Sequence, residues 1–331
     1  MRAAVYEAYG PPEVLRISDV AAPEPGHGEV RVRVHASTVN RLDCHTREAN
    51  RSNGAAVSLL SRAVSGFRRP RRPILGTEFA GVIDRLGSGV TRFKLGDRVF
   101  GNTGLRFACH AEYVCVRETM RMTSMPANVA FDAAAAATDG AFNALWCLGQ
   151  AHIRKGRPVL VYGASGAIGT AGVQLAARHF RAEVTAVCST KNLDLMRTLG
   201  ATHVIDYTRE DFTENGRTYD VIFDAVGKHA YQRCKGSLND GGYFLATDGF
   251  RNLMLTLWTG RIGKGRKVRF TLPPKYSQAD LELIKRLMDE GRFQPVIDRR
   301  YALDDVIEAA RYVETQQKTG NVVLTIAAAA T

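Results

Sequence analysis

The chain has 331 residues, of which 45 are Lys or Arg and 33 are Asp or Glu, so its formal net charge at pH 7 is +12. Its hydrophobic fraction of 45% is ordinary for a soluble globular protein, and its length allows one or two domains with a sizeable core. No apolar run is long enough to cross a bilayer, and the first residues lack the apolar stretch of a signal peptide.

Six cysteines are scattered along the chain, and no two of them form a C-x-x-C motif. Scattered cysteines in a chain for which no export signal is expected are most simply explained as reduced thiols. The sequence therefore predicts a cytoplasmic protein.

The first 125 residues have the pattern of a compact β domain. Residues 30–34 alternate valine with arginine, which predicts a strand with one face exposed to solvent. Further strands are predicted over 74–86 and 98–100, and glycines separate them as turns. The alanine-rich segment 133–148 is predicted to be a helix that leads into the next part of the chain.

Residues 158–177 predict a buried strand, a glycine-rich turn and a helix. The turn consists of Gly163, Ala164, Ser165, Gly166, Ala167, Ile168 and Gly169. In such a turn Gly163 allows the sharp bend, Gly166 allows a pyrophosphate to approach the backbone, and Gly169 allows the helix to pack closely on the strand. The N-terminus of the helix offers N–H groups and a partial positive charge to the phosphates.

Strands and helices alternate after this turn. Strands are predicted over 183–188, 203–207, 219–226, 241–246 and 267–272, with a helix over 191–199. This alternation predicts a parallel sheet with helices on both faces, the doubly wound dinucleotide-binding fold. Two further helices are predicted over 278–290 and 301–313, and a last strand over 321–326.

The end of the second strand of such a fold selects the cofactor. An Asp or Glu there would bind the ribose hydroxyls of NAD, but this chain has Ser189 and Lys191. Ser189 can donate a hydrogen bond to a 2′-phosphate, and Lys191 adds a positive charge. The predicted cofactor is therefore NADP(H), and the alternative is a polar loop with an incidental lysine.

Five segments, in this order along the chain, resemble motifs of the zinc-independent quinone oxidoreductases of the medium-chain dehydrogenase/reductase superfamily. They are residues 74–83 (ILGTEFAGVI), 87–100 (GSGVTRFKLGDRVF), the glycine turn, 199–207 (LGATHVIDY) and 319–324 (TGNVVL). The resemblance extends over nearly the whole chain.

This resemblance implies an α/β protein with two domains. A GroES-like β-barrel domain would span 1–125 and be completed by 273–331, and a Rossmann domain would span 126–272, with the active site in the cleft between them. The resemblance also implies that Tyr207 lies near the 2′-phosphate. Val226 and Asn321 complete the predicted cofactor-binding set.

The zinc ligands of the superfamily's alcohol dehydrogenases are not matched. Where those enzymes carry Gly-His-Glu, this chain has Thr77 between Gly76 and Glu78, and threonine does not replace a zinc-binding imidazole. Asn40 stands where the first cysteine ligand is expected. The neighbouring Cys44 and His45 are interpreted as ordinary loop residues, so no metal site is predicted.

Without zinc, hydride transfer suits acceptors that already delocalise charge, such as a quinone or an α,β-unsaturated carbonyl. A hydrogen-bond donor to the carbonyl oxygen would assist, and the candidates are Asn40, which the resemblance places near the nicotinamide, and Asn143. Asp43 joins them as a candidate that orients the loop, and solvent can supply the proton. Each of these side chains could instead only cap a turn. Two alternative functions remain: an NADPH-binding sensor or RNA- or membrane-surface-binding protein with little turnover, and a zinc alcohol dehydrogenase, which the missing ligands disfavour.

Two stretches, 47–72 and 250–267, combine basic with apolar residues. They are interpreted first as solvated loops beside an apolar substrate entrance. Docking to an anionic membrane surface is the second interpretation, and nucleic acid is an unlikely partner because no interleaved aromatic platform is present. The expected partners are a small hydrophobic acceptor and a second copy of the chain in a homodimer.

Overall fold

The computed structural model describes residues 1–49, 54–247, 254–256, 259, 265–270 and 275–326, except for the side chains of residues 56, 60 and 64. The chain divides into two units. The first unit combines Met1–Thr138 with Val296–Thr331, and the second is Asp139–Pro295. The C-terminal segment therefore belongs to the first unit, and both changes of unit lie later in the chain than the predicted boundaries at residues 125 and 272.

The first unit is built on antiparallel strands. They are β1 (Arg2–Val5), β2 (Arg16–Asp19), β3 (Glu29–Val39), β4 (Glu78–Leu86), β5 (Arg98–Asn102), β6 (Tyr113–Arg117), β7 (Met122–Ser124), β14 (Ile297–Ala302) and β15 (Asn321–Thr325). Strands β1 and β2 pair with each other, and the larger sheet has the order β14-β15-β3-β4-β5-β7 with β6 on β3. Only the β14–β15 pair is parallel among the described strands of this unit.

Strand β3 is the longest strand of this unit and is more deeply buried than its alternating pattern predicts. Arg31 is buried, because its guanidinium forms a bidentate pair with Asp84 of the adjacent β4 at 2.8 and 3.0 Å. The prediction of a solvent-exposed face is therefore wrong at Arg31, which is buried, and correct at Arg33, which is exposed.

Four α-helices are formed by the described residues of the first unit. They are α1 (Arg41–Arg47), α2 (Ala55–Ser65), α3 (Phe131–Ala135) and α9 (Val306–Glu314). The predicted helix over 301–313 is wrong at its start, since Tyr301 and Ala302 lie in β14, where parallel pairing with β15 overrides the helical periodicity. Helix α9 then joins the N-terminal segment in one core that includes Tyr6, Leu15 and Leu303.

The second unit is a doubly wound parallel sheet, which confirms the predicted fold class. Its strands are β8 (Pro158–Tyr162), β9 (Glu183–Cys188), β10 (His203–Asp206), β11 (Tyr219–Asp224), β12 (Leu238–Ala246) and β13 (Lys267–Arg269). They lie in the order β10-β9-β8-β11-β12-β13, and every pair is parallel. The strand order reverses at β8 and β11, and ligands of such sheets bind at the carboxyl ends of the strands beside this switch point.

The α-helices of the second unit whose bounds the structure describes are α4 (Asp139–Gly149), α5 (Ala167–Gln174), α6 (Leu193–Leu199), α7 (Tyr231–Cys234) and α8 (Gln278–Asp289). The predicted helix over 133–148 is thus two helices, and the chain passes from one unit to the other between them. Helix α3 packs on β3 and β4, whereas α8 packs on α4, which explains why both unit boundaries differ from the prediction.

Some sequence-based expectations lie outside the described residues. They concern Arg51, the stretch from Phe250 to Lys267 except for 254–256, 259 and 265–267, the end of the sixth strand at 271–272, and the alanine-rich tail. Among the described helices, none combines the length and apolar composition needed to pass through a bilayer.

Candidate cofactor and active site

The turn between β8 and α5 has the backbone geometry of a phosphate-binding loop. Gly163 has a φ of +70°, and a Cβ at this position would lie 2.5 Å from the side chain of Val226. A Cβ at Gly169 would lie 2.2 Å from the carbonyl oxygen of Gly163. Glycine is therefore required at both positions. The bend requires it at Gly163, and the close packing of the helix on the strand requires it at Gly169.

Gly166 differs from these two glycines because the protein itself does not require it. Its φ is −74°, which any residue can adopt, and the described atom nearest to a Cβ at this position would be the oxygen of Gly163, at 3.8 Å. The space beside Gly166 is therefore open on the side where a ligand can approach the backbone. Glycine here fits a phosphate that makes close contact with the main chain.

The N-terminus of α5 begins at this open position. The N–H of Thr170 donates to the carbonyl of Gly166 at 2.8 Å, so the N–H groups of residues 167–169 precede the first hydrogen-bonded turn of the helix. No described side chain caps this helix at Gly166. The arrangement offers backbone donors and the positive end of the helix dipole to an anion.

The loop after β11 covers the glycine turn. The buried carboxylate of Asp224 accepts hydrogen bonds from the N–H groups of Val226, Gly227 and His229 at 3.1, 2.9 and 2.8 Å. Burial raises the pKa of this carboxyl, and the backbone donors oppose the rise. Asp224 thereby fixes the loop that places Val226 against Gly163. Sequence reasoning missed this residue, although an Asp followed by a glycine at a strand end is a recognisable turn signal.

The side chains predicted to select the cofactor follow β9 and β10. Ser189 comes directly after β9 and is partly buried, and Lys191 is exposed two residues later. Tyr207 follows β10; its N–H donates to the carbonyl of Cys188 at 3.1 Å, and its ring is about half exposed. Parallel pairing thus brings all three to the same carboxyl edge of the sheet.

This edge also contains a carboxylate that sequence reasoning did not consider. Asp206, the last residue of β10, accepts hydrogen bonds from the hydroxyl of Thr190 and from the N–H and hydroxyl of Thr208. These donors, with Thr190 first, lower the pKa of Asp206. The carboxylate is thus engaged in holding the loop that carries Lys191, and it does not stand at the end of β9 where a ribose-binding acid is found.

Asn143, one of the two predicted donors, lies in α4 of the second unit. Its amide donates to the carbonyl of Asp139 at 2.9 Å, and its amide oxygen accepts from the hydroxyl of Tyr276 at 2.7 Å. The ring of Tyr276 stacks on that of Phe142. The amide nitrogen of Asn143 is therefore used within α4, and its amide oxygen connects α4 with the segment before α8.

Asn40, the other predicted donor, is the N-cap of α1 in the first unit. Its amide oxygen accepts from the N–H of Asp43, and its amide nitrogen donates to the hydroxyl of Thr77, both at 3.1 Å. An amide nitrogen carries two N–H groups, and within the described part of the chain only this one partner is recorded for it. The second N–H group of Asn40 is thus a suitable donor for a ligand oxygen.

Asp43 holds the surroundings of Asn40 in place. It is 2% exposed, and its two oxygens accept from the N–H groups of Asn40 at 3.0 Å and Gly76 at 2.9 Å. Burial raises the pKa of Asp43, whereas the nearby His110 and the two backbone donors act to lower it. Asp43 therefore binds the backbone at Asn40 and at Gly76, the residue before Thr77, and so holds both partners of the Asn40–Thr77 hydrogen bond in place. These contacts fit the orienting role predicted for Asp43.

A second buried carboxylate lies beside this group. Glu78 accepts hydrogen bonds from the hydroxyls of Thr38 and Thr138, the latter at 2.6 Å. The carbonyl of Thr38 accepts from Nε2 of His110 at 2.8 Å, which means that this nitrogen carries a proton. The first unit thus contains a connected polar cluster that begins at Asn40. Its members are far apart in the sequence and are brought together by the pairing of distant strands.

The remaining predicted residues are divided between the units. Asn321 begins β15 in the first unit, where its side chain donates to the carbonyl of Val296 at 3.0 Å. All other predicted cofactor residues lie together in the second unit, around the glycine turn and the strand ends. Among the described residues, no group of three or more His, Cys, Asp or Glu side chains is arranged to hold a metal ion.

Comparison with known protein families gives two matches along the chain. Residues 26–155 match the family described as the alcohol dehydrogenase GroES-like domain, and residues 199–324 match the family described as zinc-binding dehydrogenase.

Named relatives cover almost all of the chain. A 2-methylene-furan-3-one reductase of Solanum lycopersicum is 29% identical over 98% of this chain and 79% of its own length. An NADPH-dependent alkenal/one oxidoreductase of Arabidopsis thaliana is 28% identical over the same shares. A quinone oxidoreductase of Pseudomonas aeruginosa is 28% identical over 96% of this chain and 98% of its own length.

Solved structures extend the comparison to the fold of the whole chain. The quinone oxidoreductase of Coxiella burnetii superimposes with a TM-score of 0.85 at 25% identity, covering 99% of both chains. The two family matches, the doubly wound sheet and the glycine turn agree with the resemblance seen in the sequence. The chain is therefore a quinone oxidoreductase-like member of the medium-chain dehydrogenase/reductase superfamily.

Proposed function

We propose that this protein is an NADPH-dependent oxidoreductase that reduces quinones or α,β-unsaturated carbonyl compounds without the help of zinc. The observation that carries the proposal is the open N-terminus of α5 at Gly166, together with Ser189 and Lys191 at the edge of the same sheet. The names of the tomato, Arabidopsis and Pseudomonas relatives support the reaction class.

The second unit provides the groups that would hold NADPH. The N–H groups of residues 167–169 suit the pyrophosphate, and Ser189, Lys191 and Tyr207 suit the 2′-phosphate. When bound, the cofactor supplies a hydride from its nicotinamide ring. The protein's own contribution is to bind, orient and shield the reactants.

The first unit provides the predicted donor. Reduction of a quinone or an enone places negative charge on a carbonyl oxygen, and a positioned N–H group stabilises that charge. The amide of Asn40 is fixed by Thr77 and by the N-cap hydrogen bond from Asp43, so it is oriented before a ligand arrives. Solvent is the proposed source of the proton, and the absence of a catalytic zinc stays a prediction.

The proposal includes a small apolar acceptor, a homodimeric assembly and a cytoplasmic location. All six cysteines are unpaired, and five of them are buried, which supports a reducing compartment.

The reaction is tested by following NADPH consumption with a panel of quinones, enones and alkenals, with saturated ketones as negative controls. We expect turnover with some conjugated acceptors and none with the saturated ketones, because only conjugated acceptors delocalise the added charge without a Lewis acid. If NADPH binds but no acceptor supports turnover, the protein is a nucleotide-binding module and the proposed reaction is wrong.

The role of Gly166 is tested by comparing Gly166→Val with Gly169→Val. The first substitution should weaken NADPH binding at least about tenfold while changing the free energy of unfolding by no more than about 1 kcal/mol, because its side chain enters the open space. The second should destabilise the protein by about 1–3 kcal/mol or more, since its Cβ would meet the oxygen of Gly163. Fluorescence titration and thermal unfolding measure the two effects. Unchanged NADPH affinity in Gly166→Val would exclude the proposed phosphate site.

The choice of cofactor is tested with the double variant Ser189→Asp and Lys191→Ala. It should lose about 10–100-fold in NADPH affinity and only a few-fold in NADH affinity, because a charged hydrogen bond to the 2′-phosphate is lost and a repulsive carboxylate is gained. Lys155→Ala is the matched control, since Lys155 is exposed and precedes β8 at the opposite edge of the sheet. Equal affinity of the unmodified protein for both cofactors would contradict the prediction.

The role of Asn40 is tested with Asn40→Ser and Asn40→Ala. Serine caps a helix as well as asparagine does but lacks the amide donor, so kcat should fall about 10²-fold with little change in stability. Alanine also removes the cap and should cost about 1 kcal/mol of stability in addition. Steady-state kinetics and thermal unfolding of both variants provide the comparison. A Ser variant with unchanged kcat would reduce Asn40 to a helix cap.

A further inference from the structure

Helix α2 exposes side chains of the kind that an ordinary surface helix buries. Its described polar side chains are half-buried and its described apolar side chains are exposed. The half-buried set is Ser58, Ser61, Arg62 and Ser65, and the exposed set is Ala55, Val57, Leu59 and Ala63. The side chain of Leu59 is 57% exposed and that of Val57 is 45% exposed. Exposed apolar side chains of this kind are typical of a surface that binds something.

This orientation is held by contacts with the rest of the first unit. The hydroxyl of Tyr9 donates to the carbonyl of Gly66 at 2.7 Å, directly after the helix. The guanidinium of Arg62 lies over the ring of Tyr9 at 5.2 Å. The N–H of Arg71 donates to the carbonyl of Ser65 at 2.8 Å. These contacts hold Arg62, Ser65 and Gly66 towards the unit, while Val57 and Leu59 are exposed.

A basic loop continues from the helix. Residues 54–73 contain five arginines and no acidic residue. Arg68, Arg69, Arg71 and Arg72 are exposed, and the ring of Phe67 beside them is 62% exposed. Exposed apolar side chains next to concentrated positive charge match the chemistry of an anionic lipid surface, which is apolar inside and negative at its headgroups.

We propose that α2 and the loop to Arg72 form a docking surface for an anionic phospholipid membrane. Leu59, Val57 and Phe67 would enter the boundary between headgroups and acyl chains, and the arginines would contact the headgroups. The proposal does not depend on the proposed reaction, because it concerns only contacts of the first unit.

Two other occupants are less compatible with this surface. In a symmetric dimer the same patch would meet its own copy, and two runs of arginines would face each other without an acidic residue between them. A nucleic acid would satisfy the arginines, but it offers no apolar phase for Leu59 and Val57. A membrane satisfies both sets of side chains at once.

The test is co-sedimentation of the full chain with vesicles of phosphatidylcholine alone or of phosphatidylcholine with phosphatidylglycerol. We expect binding only to the anionic vesicles, and its loss at high salt, since the charge contribution is screened. Each arginine near such a surface raises the affinity for the membrane about fivefold, so the double variant Arg68→Ala and Arg69→Ala should weaken vesicle binding about 25-fold. Leu59→Glu should weaken it about tenfold or more.

Leu95→Glu is the matched control, because Leu95 is 60% exposed in the same unit but outside the docking surface. It should bind anionic vesicles like the unmodified protein. Nucleotide binding, measured in parallel, should be the same in every variant and shows that each is folded.

Three outcomes would overturn the proposal. The first is that the unmodified protein stays in the supernatant with anionic vesicles at low salt. The second is a dimer, seen by analytical ultracentrifugation, that Leu59→Glu dissociates, which would assign the face to a second copy. The third is vesicle binding that the arginine variant loses and Leu59→Glu retains, which would leave a purely electrostatic surface of the kind that also binds nucleic acid.

Discussion

The close approach of α5 to β8 determines where a nucleotide can bind in the second unit. Because Gly169 lacks a Cβ, its backbone can lie against the carbonyl of Gly163, and Gly172 lies in the same way against the ring of Phe223. The helix can therefore begin immediately beyond the carboxyl end of β8, at the point where the strand order reverses. The ends of β9, β10 and β11 reach the same edge, so the side chains that could recognise a nucleotide lie near the N-terminus of α5.

The first unit depends on a different constraint, the burial of two carboxylates. Burying a carboxylate is costly unless hydrogen bonds replace its hydration, and both residues meet this condition. Asp43 accepts from two backbone N–H groups, and Glu78 accepts from two threonine hydroxyls. Removal of a donor would take away part of what replaces the hydration of a buried carboxylate, so the geometry around Asn40 can change only at a high cost. This rigidity is what a preoriented donor requires.

Local patterns predicted the parts of the structure that local interactions form. The glycine turn, the alternating strands and the helix beginning at Gln278 were all readable because each depends on neighbouring residues. The errors occur where distant pairing decides. Tyr301 enters β14 because β15 lies beside it, and Arg31 is buried because Asp84 stands on the adjacent strand. No periodicity within a single segment contains that information.

The candidate site shows the same division. Sequence alone named Ser189 and Lys191 as candidates but did not consider Asp206, because only the parallel pairing of β9 with β10 places that carboxylate beside Thr190. It also named Asp43 among the candidates without revealing that this side chain is buried behind Asn40. A motif thus gives the residue types of a site, while the distances between strands decide which of them can meet a ligand.

Helix α2 illustrates why an exposed apolar face need not be a defect of folding. Burial of a Leu or Val side chain is worth about 1.5–3 kcal/mol, so the exposed Leu59 and Val57 leave stabilisation unused. The core of the first unit does not need them, since its buried clusters are formed by the strands, the N-terminal segment and α9. Tyr9 belongs to one of these clusters and also contacts Arg62, so the core itself sets the direction in which α2 faces. An outward apolar face that is fixed from within is a feature of the folded state and not of a poorly packed one.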